Sequence, residues 1–228
     1  MKVSIHQSQY IPWPAYFKKI AISDKFIILD DVQYQKNGVQ NRNKLRNKHG
    51  EFWLTIPVGG SIQEKINEKK CSEMKWKKKH FQSITQSYSK SKGWKAHHEA
   101  IEDIFLNSSE YLNEINISFI KYFVSFMEIE TELFLSSQMN SSGSKSDLVL
   151  SLCKELNATE YISGIGAKDY LDLKTFRNNS IKIDFIKSIN PSYNQIHGNF
   201  IPNLSFLDMV MNVDKTNILN YFVNEKAL

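Results

Sequence analysis

The sequence contains little that is typical of extracellular, membrane or zinc-binding proteins. Its 228 residues include two cysteines, Cys71 and Cys153, which are too few for a disulfide scaffold and form no CxxC or Cys/His cluster. The longest apolar stretch, 115–129, is broken by polar and charged residues, whereas a transmembrane helix needs ~20 apolar residues. No secretory signal is found, because polar residues 6–9 interrupt the first apolar residues. We therefore expect a soluble, cytoplasmic protein without a metal site.

Positive charge is concentrated in the first 95 residues. They contain 19 Lys and Arg against 7 Asp and Glu, whereas the remaining 133 residues contain 10 against 17. Such a basic region favours an anionic ligand: a nucleotide, a sugar diphosphate, an acidic carrier bearing pantetheine, or nucleic acid. The lysines of 75–79 share a helix with Trp76, His80, Ile84 and Tyr88, whose spacing puts the aromatic residues on the opposite face. Because nucleic-acid binding would interleave aromatic and basic residues, we expect no nucleic-acid partner.

Strands and helices alternate at both ends of the chain, around a helical middle. The predicted elements are a strand at 3–5, a helix at 14–22, a strand at 26–29, a hairpin at 43–58 turning at His49-Gly50, helices between 74 and 127, a strand at 132–135, a Ser-rich linker at 136–146, a helix burying Cys153, a strand at 161–162, a helix through Tyr170, a strand at 181–186 and two C-terminal helices. This order predicts an α/β fold with a mostly parallel sheet, flanking helices and an inserted helical subdomain. We expect one domain over 1–228, with a core formed by 1–73 and 131–228 and a helical insertion at 74–130.

Two of the apolar strands end in polar residues that are suited to catalysis. His6-Gln7 follows the first strand, and Asp30-Asp31 follows the second. Ligands of parallel α/β sheets bind outside the carboxyl ends of the strands, so His6 and one aspartate would meet there if the two strands are neighbours. A carboxylate beside an imidazole orients the ring and raises its basicity, as a general base requires. The alternative is that the aspartate caps a turn and His6 is a polar residue without a catalytic role.

Three further segments are candidates for ligand binding. Residues 6–17 combine aromatic side chains, glutamines and prolines, a mixture that binds sugars and bases but that also packs as a satellite core. In Asn41-Arg42-Asn43, the guanidinium suits a diphosphate and the amides suit hydroxyl groups, although an Asn-rich hairpin turn explains the triplet equally well. Ser163-Gly164-Ile165-Gly166 falls between a predicted strand and a predicted helix, where backbone N–H groups and the helix dipole attract an anion. Its two glycines make a weak motif.

The run HQSQYIPWPAYFKKIAISDKFIILDDVQYQKNGVQNRNKL, from residue 6 to residue 45, resembles the signature of the WbqC-like family. So do WLTIPV at 53–58, YISGIGAKDYL at 161–171 and YNQIHGNFIPNLSFLDMVMN at 193–212. One departure is Pro14-Ala15, where the family tends to have a larger residue followed by Gly, and this puts only the local backbone in doubt. The resemblance covers nearly the whole chain.

The resemblance implies a bacterial protein of O-antigen or other surface-polysaccharide gene clusters, and N-acylation of an amino-sugar is a candidate reaction for the family. The catalytic residues that we predict on this basis are His6, Asp30 and Asp31. The predicted substrate-binding residues are Gln7, Tyr10, Trp13, Gln33, Asn41, Arg42, Asn43, Ser163, Gly164, Tyr193 and Gln195. Ser205 and Asp208 also match motif positions, but a capping box from Ser205 to Asp208 explains both without a function.

The resulting hypothesis is a transferase that adds an acyl or aminoacyl group to the amine of a nucleotide-linked amino-sugar. His6, oriented by Asp30 or Asp31, would take the amine proton, and an amide of Gln7 or Asn41 would stabilise the oxyanion. The donor would be acyl-CoA or an acyl-carrier-protein thioester, with no tightly bound cofactor. An ATP-dependent version ranks lower because an HxGH motif is absent. The alternative is a non-catalytic module that binds a nucleotide-sugar or a partner enzyme, and the oligomeric state is left open.

Overall fold

Five parallel strands form the central sheet of the computed structural model, which describes residues 1–187 and 191–223. The seven strands of the described chain are β1 (Lys2–Gln7), β2 (Lys25–Leu29), β3 (Arg42–Asn47), β4 (Gly50–Thr55), β5 (Glu132–Leu135), β6 (Glu160–Gly164) and β7 (Lys182–Ile186). The sheet order is β5-β2-β1-β6-β7, and β3 and β4 pair separately as an antiparallel hairpin. The predicted α/β class, the mostly parallel sheet and the hairpin are confirmed.

Eight α-helices flank and extend this sheet in the described residues. They are α1 (Pro14–Ala21), α2 (Trp76–Tyr88), α3 (Trp94–Asn107), α4 (Leu112–Phe126), α5 (Lys145–Glu155), α6 (Leu173–Asn178), α7 (Phe206–Asn212) and α8 (Lys215–Val223). None of the helices in the described residues combines the length and the apolar character that crossing a membrane would require.

The strand order reverses at β1, which is the feature that positions the site. The chain runs outward from β1 to β2 and β5 on one side, and from β6 to β7 on the other. β1 pairs with β2 along its length to Gln7, but its pairing with β6 ends where Ser4 meets Ile162. The two central strands therefore diverge over their last residues, and a crevice opens between their carboxyl ends.

The alternation of side chains along the strands divides the core into two layers. Phe26 and Ile28 of β2 join a large cluster with α1, the three long helices, the hairpin and the two C-terminal helices. Val3, Ile5 and Ile27 point to the other face, where α5 and α6 cover them. The connection from β1 to β2 and the connection from β6 to β7 proceed toward opposite edges of the sheet. Their helices thus lie on opposite faces, as right-handed crossovers require.

The segment between β2 and β5 contains the three longest helices of the described residues. Helices α2, α3 and α4 occupy 76–126, close to the predicted bounds of 74–130. The hairpin is also inserted there, because its strands do not join the central sheet. Leu45 and Leu54 of the hairpin pack in the same core cluster as the helices, so the insertion shares its core with one face of the sheet.

Two local predictions have different outcomes. The helix predicted through Tyr170 is wrong: a three-residue 3-10 helix (Ile165–Ala167) follows β6, and α6 begins only after Asp172, whose carboxylate accepts hydrogen bonds from the backbone N–H groups of Lys174 and Thr175. The assignment of Cys153 to the core is confirmed, since the residue is fully buried and burial raises the pKa of its thiol to about 12.

Candidate functional site

A cavity of about 340 Å³ occupies the crevice between the diverging ends of β1 and β6. We call it the switch-point crevice; it is lined by Ile5, His6, Gln7, Trp13, Ala15, Tyr16, Lys19, Leu29, Val149, Tyr161, Ser163, Gly164, Gly166, Ala167, Tyr170 and Ile186. Ligands of open α/β sheets bind at this position, where the strand order reverses. No Asp or Glu is among the described lining residues, so the charge of the lining comes from basic groups.

Lys19 is a buried cation at the crevice. Its helix, α1, carries Tyr16 and Ile20 on the face that packs on the sheet, and Lys19 follows Tyr16 by three residues on the same face. The Nζ of Lys19 donates a 2.6 Å hydrogen bond to the carbonyl of Ile5, which lies just beyond the last β1–β6 pair. The side chain therefore supplies a donor where the neighbouring strand diverges. Burial lowers the pKa of Lys19 to about 7.

His6 lies beside Lys19, between two aromatic rings. Its ring centroid is 5.4 Å from that of Trp13 and 5.0 Å from that of Tyr16. Its Nδ1 is buried and makes no hydrogen bond. Burial, and secondarily the charge of Lys19, lowers the pKa of His6 to about 3. The imidazole is therefore neutral at physiological pH, with a ring nitrogen that no protein group occupies.

His6 and Lys19 together hold at most one proton at neutral pH. Protonating either group disfavours protonation of the other, since the two charges have the same sign. Gln7 adds an amide beside this pair: its Oε1 accepts from Gln40 Nε2 at 2.9 Å, and its backbone carbonyl accepts from the Tyr16 hydroxyl at 3.3 Å. Within the described chain nothing accepts from Gln7 Nε2, so that amide can donate to a ligand.

The opposite wall of the crevice comes from the end of β6. Ser163 is buried and Gly164 is exposed, and a Cβ placed on Gly164 or on Gly166 would meet nothing within 4 Å. The glycines therefore keep this wall open. The helix N-terminus predicted after Gly164 is wrong, because the segment forms only the short 3-10 helix, and anion binding by this segment stays a prediction.

The predicted pairing of His6 with Asp30 or Asp31 is also wrong, although β1 and β2 are neighbours. The Asp30 carboxylate accepts hydrogen bonds from Asn113 Nδ2 at 2.9 Å, from Ser137 N at 2.9 Å and from Ser137 Oγ at 2.8 Å. Ser136 Oγ lies 3.0 Å from Asp30 and 2.5 Å from Asp31. The aspartates thus fasten the exit of β2 to the exit of β5, which is a structural role.

Asn41 and Arg42 lie outside the crevice, in a second cavity beside the hairpin. Gln33 is exposed and donates to the carbonyl of Ile62 at 3.1 Å. Neither the amide of Asn41 nor that of Gln33 lines the crevice, so of the predicted amides only Gln7 remains in place for an oxyanion. 

Tyr10 and Asn43 stabilise the loop between β1 and α1. The Tyr10 hydroxyl is 2.9 Å from His80 Nδ1 in the core. Asn43 Nδ2 donates to the carbonyl of Ile11 at 2.7 Å, and Ile11 has a φ of 37°, in the left-handed region that a β-branched residue avoids. Both residues therefore shape the loop that carries Trp13 and do not line the crevice.

Tyr193 and Gln195 belong to a buried cluster around Asp208, which we call the Asp208 cluster. The Asp208 carboxylate accepts from the hydroxyls of Tyr88 at 2.7 Å and Tyr193 at 2.8 Å, and from Gln195 Nε2 at 2.9 Å. Arg46 Nη1 donates to Gln195 Oε1 and to the carbonyl of Asn199. Ser205 caps α7 as predicted, but the Asp208 side chain bonds to this cluster. These motif residues are structural.

Of the predicted residues, the structure brings together His6, Gln7, Trp13, Ser163 and Gly164. Lys19 was not predicted, because a lysine in a Lys-Lys pair on a short helix resembles a solvent-exposed residue. Its spacing from Tyr16 was the available signal. Among the described residues, no group of three or more His, Cys, Asp and Glu side chains is placed to hold a metal ion.

The fold defines an α/β protein with a crevice at the switch point of a parallel sheet. The WbqC-like protein family model matches residues 7–219, and the chain belongs to that family. It is also similar to the uncharacterized protein Rv1507c of Mycobacterium tuberculosis (strain ATCC 25618 / H37Rv), with 35% identity over 220 residues that cover 93% of this chain and 94% of that protein. No solved structure matches the chain with significance.

Proposed function

We propose that the protein is a transferase that joins an acyl or aminoacyl group to the amine of a nucleotide-linked amino-sugar bound in the switch-point crevice. The observation that supports this most directly is the neutral His6 beside Lys19, with a buried Nδ1 that has no protein partner. Family membership suggests a place in the synthesis of O-antigen or another surface polysaccharide, with acyl-CoA or an acyl-carrier-protein thioester as donor.

The position of the crevice favours a nucleotide-containing ligand. The order β5-β2-β1-β6-β7 reverses at β1, as the order of dinucleotide-binding sheets reverses at their first strand, and the ligands of those sheets occupy the switch point. Trp13 and Tyr170 offer aromatic surfaces on the lining, and none of its described residues is an Asp or Glu that would repel an anionic group. A volume of about 340 Å³ is within the range of small-molecule sites.

In the proposed reaction, the amine nitrogen of the sugar attacks the thioester carbonyl. The new C–N bond forms, the C–S bond breaks, the sulfur leaves as a thiolate, and the nitrogen loses one proton. His6 receives this proton on its imidazole and passes it to the thiolate, which requires that Lys19 be neutral when His6 is protonated, because two adjacent cations repel each other. The Nε2 of Gln7 donates to the oxyanion that develops on the carbonyl oxygen.

This assignment predicts a pH dependence. Lys19 has a pKa of about 7, so the pair can accept a proton only as the pH rises through that value. We therefore expect kcat/KM to rise through pH ~7 and to level off above it. In Lys19→Met, which has no titrating ammonium, this rise should disappear.

The test is mass spectrometry of a nucleotide-linked 4-amino-4,6-dideoxysugar incubated with acyl-CoA, acyl-carrier-protein or ATP-plus-amino-acid donors. We expect an acyl mass shift with the wild type that falls by at least ~100-fold in His6→Ala, the lower end of what a general base contributes. His49→Ala is the matched control, since His49 is exposed at the hairpin turn.

Saturable binding of the sugar nucleotide without turnover by any donor would replace the transferase with the non-catalytic binding module. The low pKa of His6 favours the binding module as the second candidate function, because a weakly basic imidazole also serves as a simple hydrogen-bonding group. If neither binding nor turnover is found, both functions are excluded for this ligand.

A further inference from the structure

A second cavity, which we call the hairpin cavity, lies beside the β3–β4 hairpin and has a volume of about 340 Å³. It is bordered by the chain at 34–42, by the end of β4 and by the loop that follows β4. It shares no described lining residue with the switch-point crevice. Its occupant therefore contacts a separate set of side chains.

The lining of the hairpin cavity carries uncompensated positive charge. Lys36, Arg42 and Lys69 line it, and no Asp or Glu does so among the described residues. Lys69 already has partners for its charge. Its Nζ donates to the carbonyl of Gly59 at 3.1 Å and to the carbonyl of Ser61, and it forms an ion pair with Glu64 at 3.1 Å. Within 1–187 and 191–223, Lys36 and Arg42 form no ion pair. Two positive charges thus face the cavity without a counter-charge.

Two buried polar atoms of the same cavity lack partners. The guanidinium of Arg42 lies 4.5 Å from the ring centroid of Trp53 and donates through Nη2 to the carbonyl of Asn37, but its Nε is buried and unpaired. Asn41 is only 6% exposed; its Nδ2 donates to the carbonyl of Ile56 at 2.8 Å, and its Oδ1 accepts nothing. Unpaired buried polar atoms are unfavourable, and a ligand with complementary groups would satisfy them.

From these contacts we infer that the hairpin cavity binds the phosphate group of a ligand, with Arg42 and Lys36 neutralising the phosphate and Asn41 Oδ1 accepting from an adjacent hydroxyl. A phosphate monoester carries about −1.5 to −2 charges at neutral pH, which matches two cations better than a single carboxylate does. The inference goes beyond the proposed transfer reaction and does not depend on it.

Trp53 makes the inference measurable. Its side chain is 44% exposed and stacks on Arg42, so movement of the guanidinium toward an anion should change the tryptophan fluorescence. We would titrate the protein with inorganic pyrophosphate, and with acetate, at constant ionic strength. We expect saturable pyrophosphate binding, a much weaker effect of acetate, and loss of the signal but not of calorimetric binding in Trp53→Phe.

Arg42→Met should weaken pyrophosphate binding by about tenfold or more, the effect of losing a charged hydrogen-bond donor. Lys36→Met should weaken it by a smaller factor, and since Lys36 is exposed, this variant should fold even if Arg42→Met does not. The matched control is Lys44→Met. Lys44 also lies over Trp53, at 5.3 Å, but it pairs with Glu51 and does not line the cavity.

Three results would overturn the inference: unchanged affinity in Arg42→Met and Lys36→Met, an equal loss in Lys44→Met, or equal affinity for acetate. Abolition of binding in Lys19→Met would also overturn it, since the anion would then occupy the switch-point crevice. The proposed transfer reaction fails separately. If the protein binds pyrophosphate in this cavity but turns over no amino-sugar, the phosphate site is supported and the transferase function is rejected.

Discussion

The switch-point crevice and the Asp208 cluster are both built from polar residues of the family motifs, yet they differ in how completely those residues are paired. Both oxygens of the Asp208 carboxylate accept hydrogen bonds, from two tyrosines and a glutamine. In the crevice, His6 Nδ1 is buried without a partner, and Lys19 contacts a carbonyl that no strand pairs. A family motif therefore marks two kinds of site, and pairing distinguishes them.

The comparison teaches that motif membership alone does not assign a role. Tyr193 and Gln195 match the family signature as well as His6 does, but they complete a buried network and line no part of the crevice. Buried polar networks of this kind stabilise and specify a fold when all members are satisfied. Substituting a residue of the Asp208 cluster should therefore lower the stability of the fold. Substituting a residue of the crevice should instead lower ligand binding or activity.

The largest expected effect is on stability, from Asp208→Ala. The substitution leaves the hydroxyls of Tyr88 and Tyr193 without their acceptor and removes one of the two acceptors of Gln195 Nε2, and we expect a loss of ~3–5 kcal/mol in the free energy of unfolding. Urea denaturation measures this. Asp169→Ala, at an exposed aspartate, should change the free energy by less than ~0.5 kcal/mol. Equal losses in the two variants would contradict a structural role for the cluster.

Next in size is the contrast between two glycines. A Cβ on Gly93 would lie 2.2 Å from the backbone oxygen of Val210, so Gly93→Ala should destabilise the fold by ~1–3 kcal/mol. Gly164→Ala adds its methyl group to open space in the crevice, and thermal unfolding should show almost no change. Its effect should appear as weaker binding of the sugar nucleotide. A stability loss in Gly164→Ala matching that in Gly93→Ala would mean that the crevice wall is packed core.

The third prediction concerns the pH dependence of stability through Lys19. The pKa of Lys19 is about 7 in the folded protein and its ordinary value is 10.5, so the unfolded chain binds more protons between these values. Wild-type stability should therefore rise with pH relative to Lys19→Met, by at most ~1.4 kcal/mol per pH unit. Urea titrations between pH 7.5 and 9 measure the difference. Parallel curves for the two proteins would show that Lys19 is not desolvated.

An effect of similar size is expected on the acid side, from His6. Its folded pKa of about 3 lies below the ordinary value of 6.5, so protons bind preferentially to the unfolded chain in this range and stability falls as the pH drops. His6→Gln should remove up to ~1.4 kcal/mol per pH unit of this dependence between pH 6.5 and 4. His80 and His97, whose pKa values burial lowers to about 4, should retain their own contribution. An unchanged acid limb in His6→Gln would place the imidazole in solvent.

Periodicity and local signals predicted the elements that depend on neighbouring residues. The strands before His6 and Asp30, the hairpin turn at His49-Gly50 and the buried Cys153 were all accessible from local pattern. Whether β1 and β2 are neighbours was left open by the sequence, and the structure shows them paired in parallel.

The site depended on distant partners that no local pattern contains. The Asp30 carboxylate is hydrogen-bonded to Ser136 and Ser137, more than 100 residues further along the chain. That it bonds to these serines and not to His6 could therefore not be predicted. Lys19 Nζ reaches the carbonyl of Ile5 just beyond the last β1–β6 pair, and strand divergence has no signature in a single sequence. Tertiary contacts of this kind decide which motif residues reach the crevice.

The hydrogen bond from Lys19 to the carbonyl of Ile5 has a consequence for ligand affinity. With that carbonyl satisfied by a side chain, the separated ends of β1 and β6 have one fewer exposed group to draw them together. The open shape is thus part of the folded protein before any ligand arrives. Binding in a preorganised cleft does not have to offset the free energy of opening it, so a larger share of each contact appears as affinity.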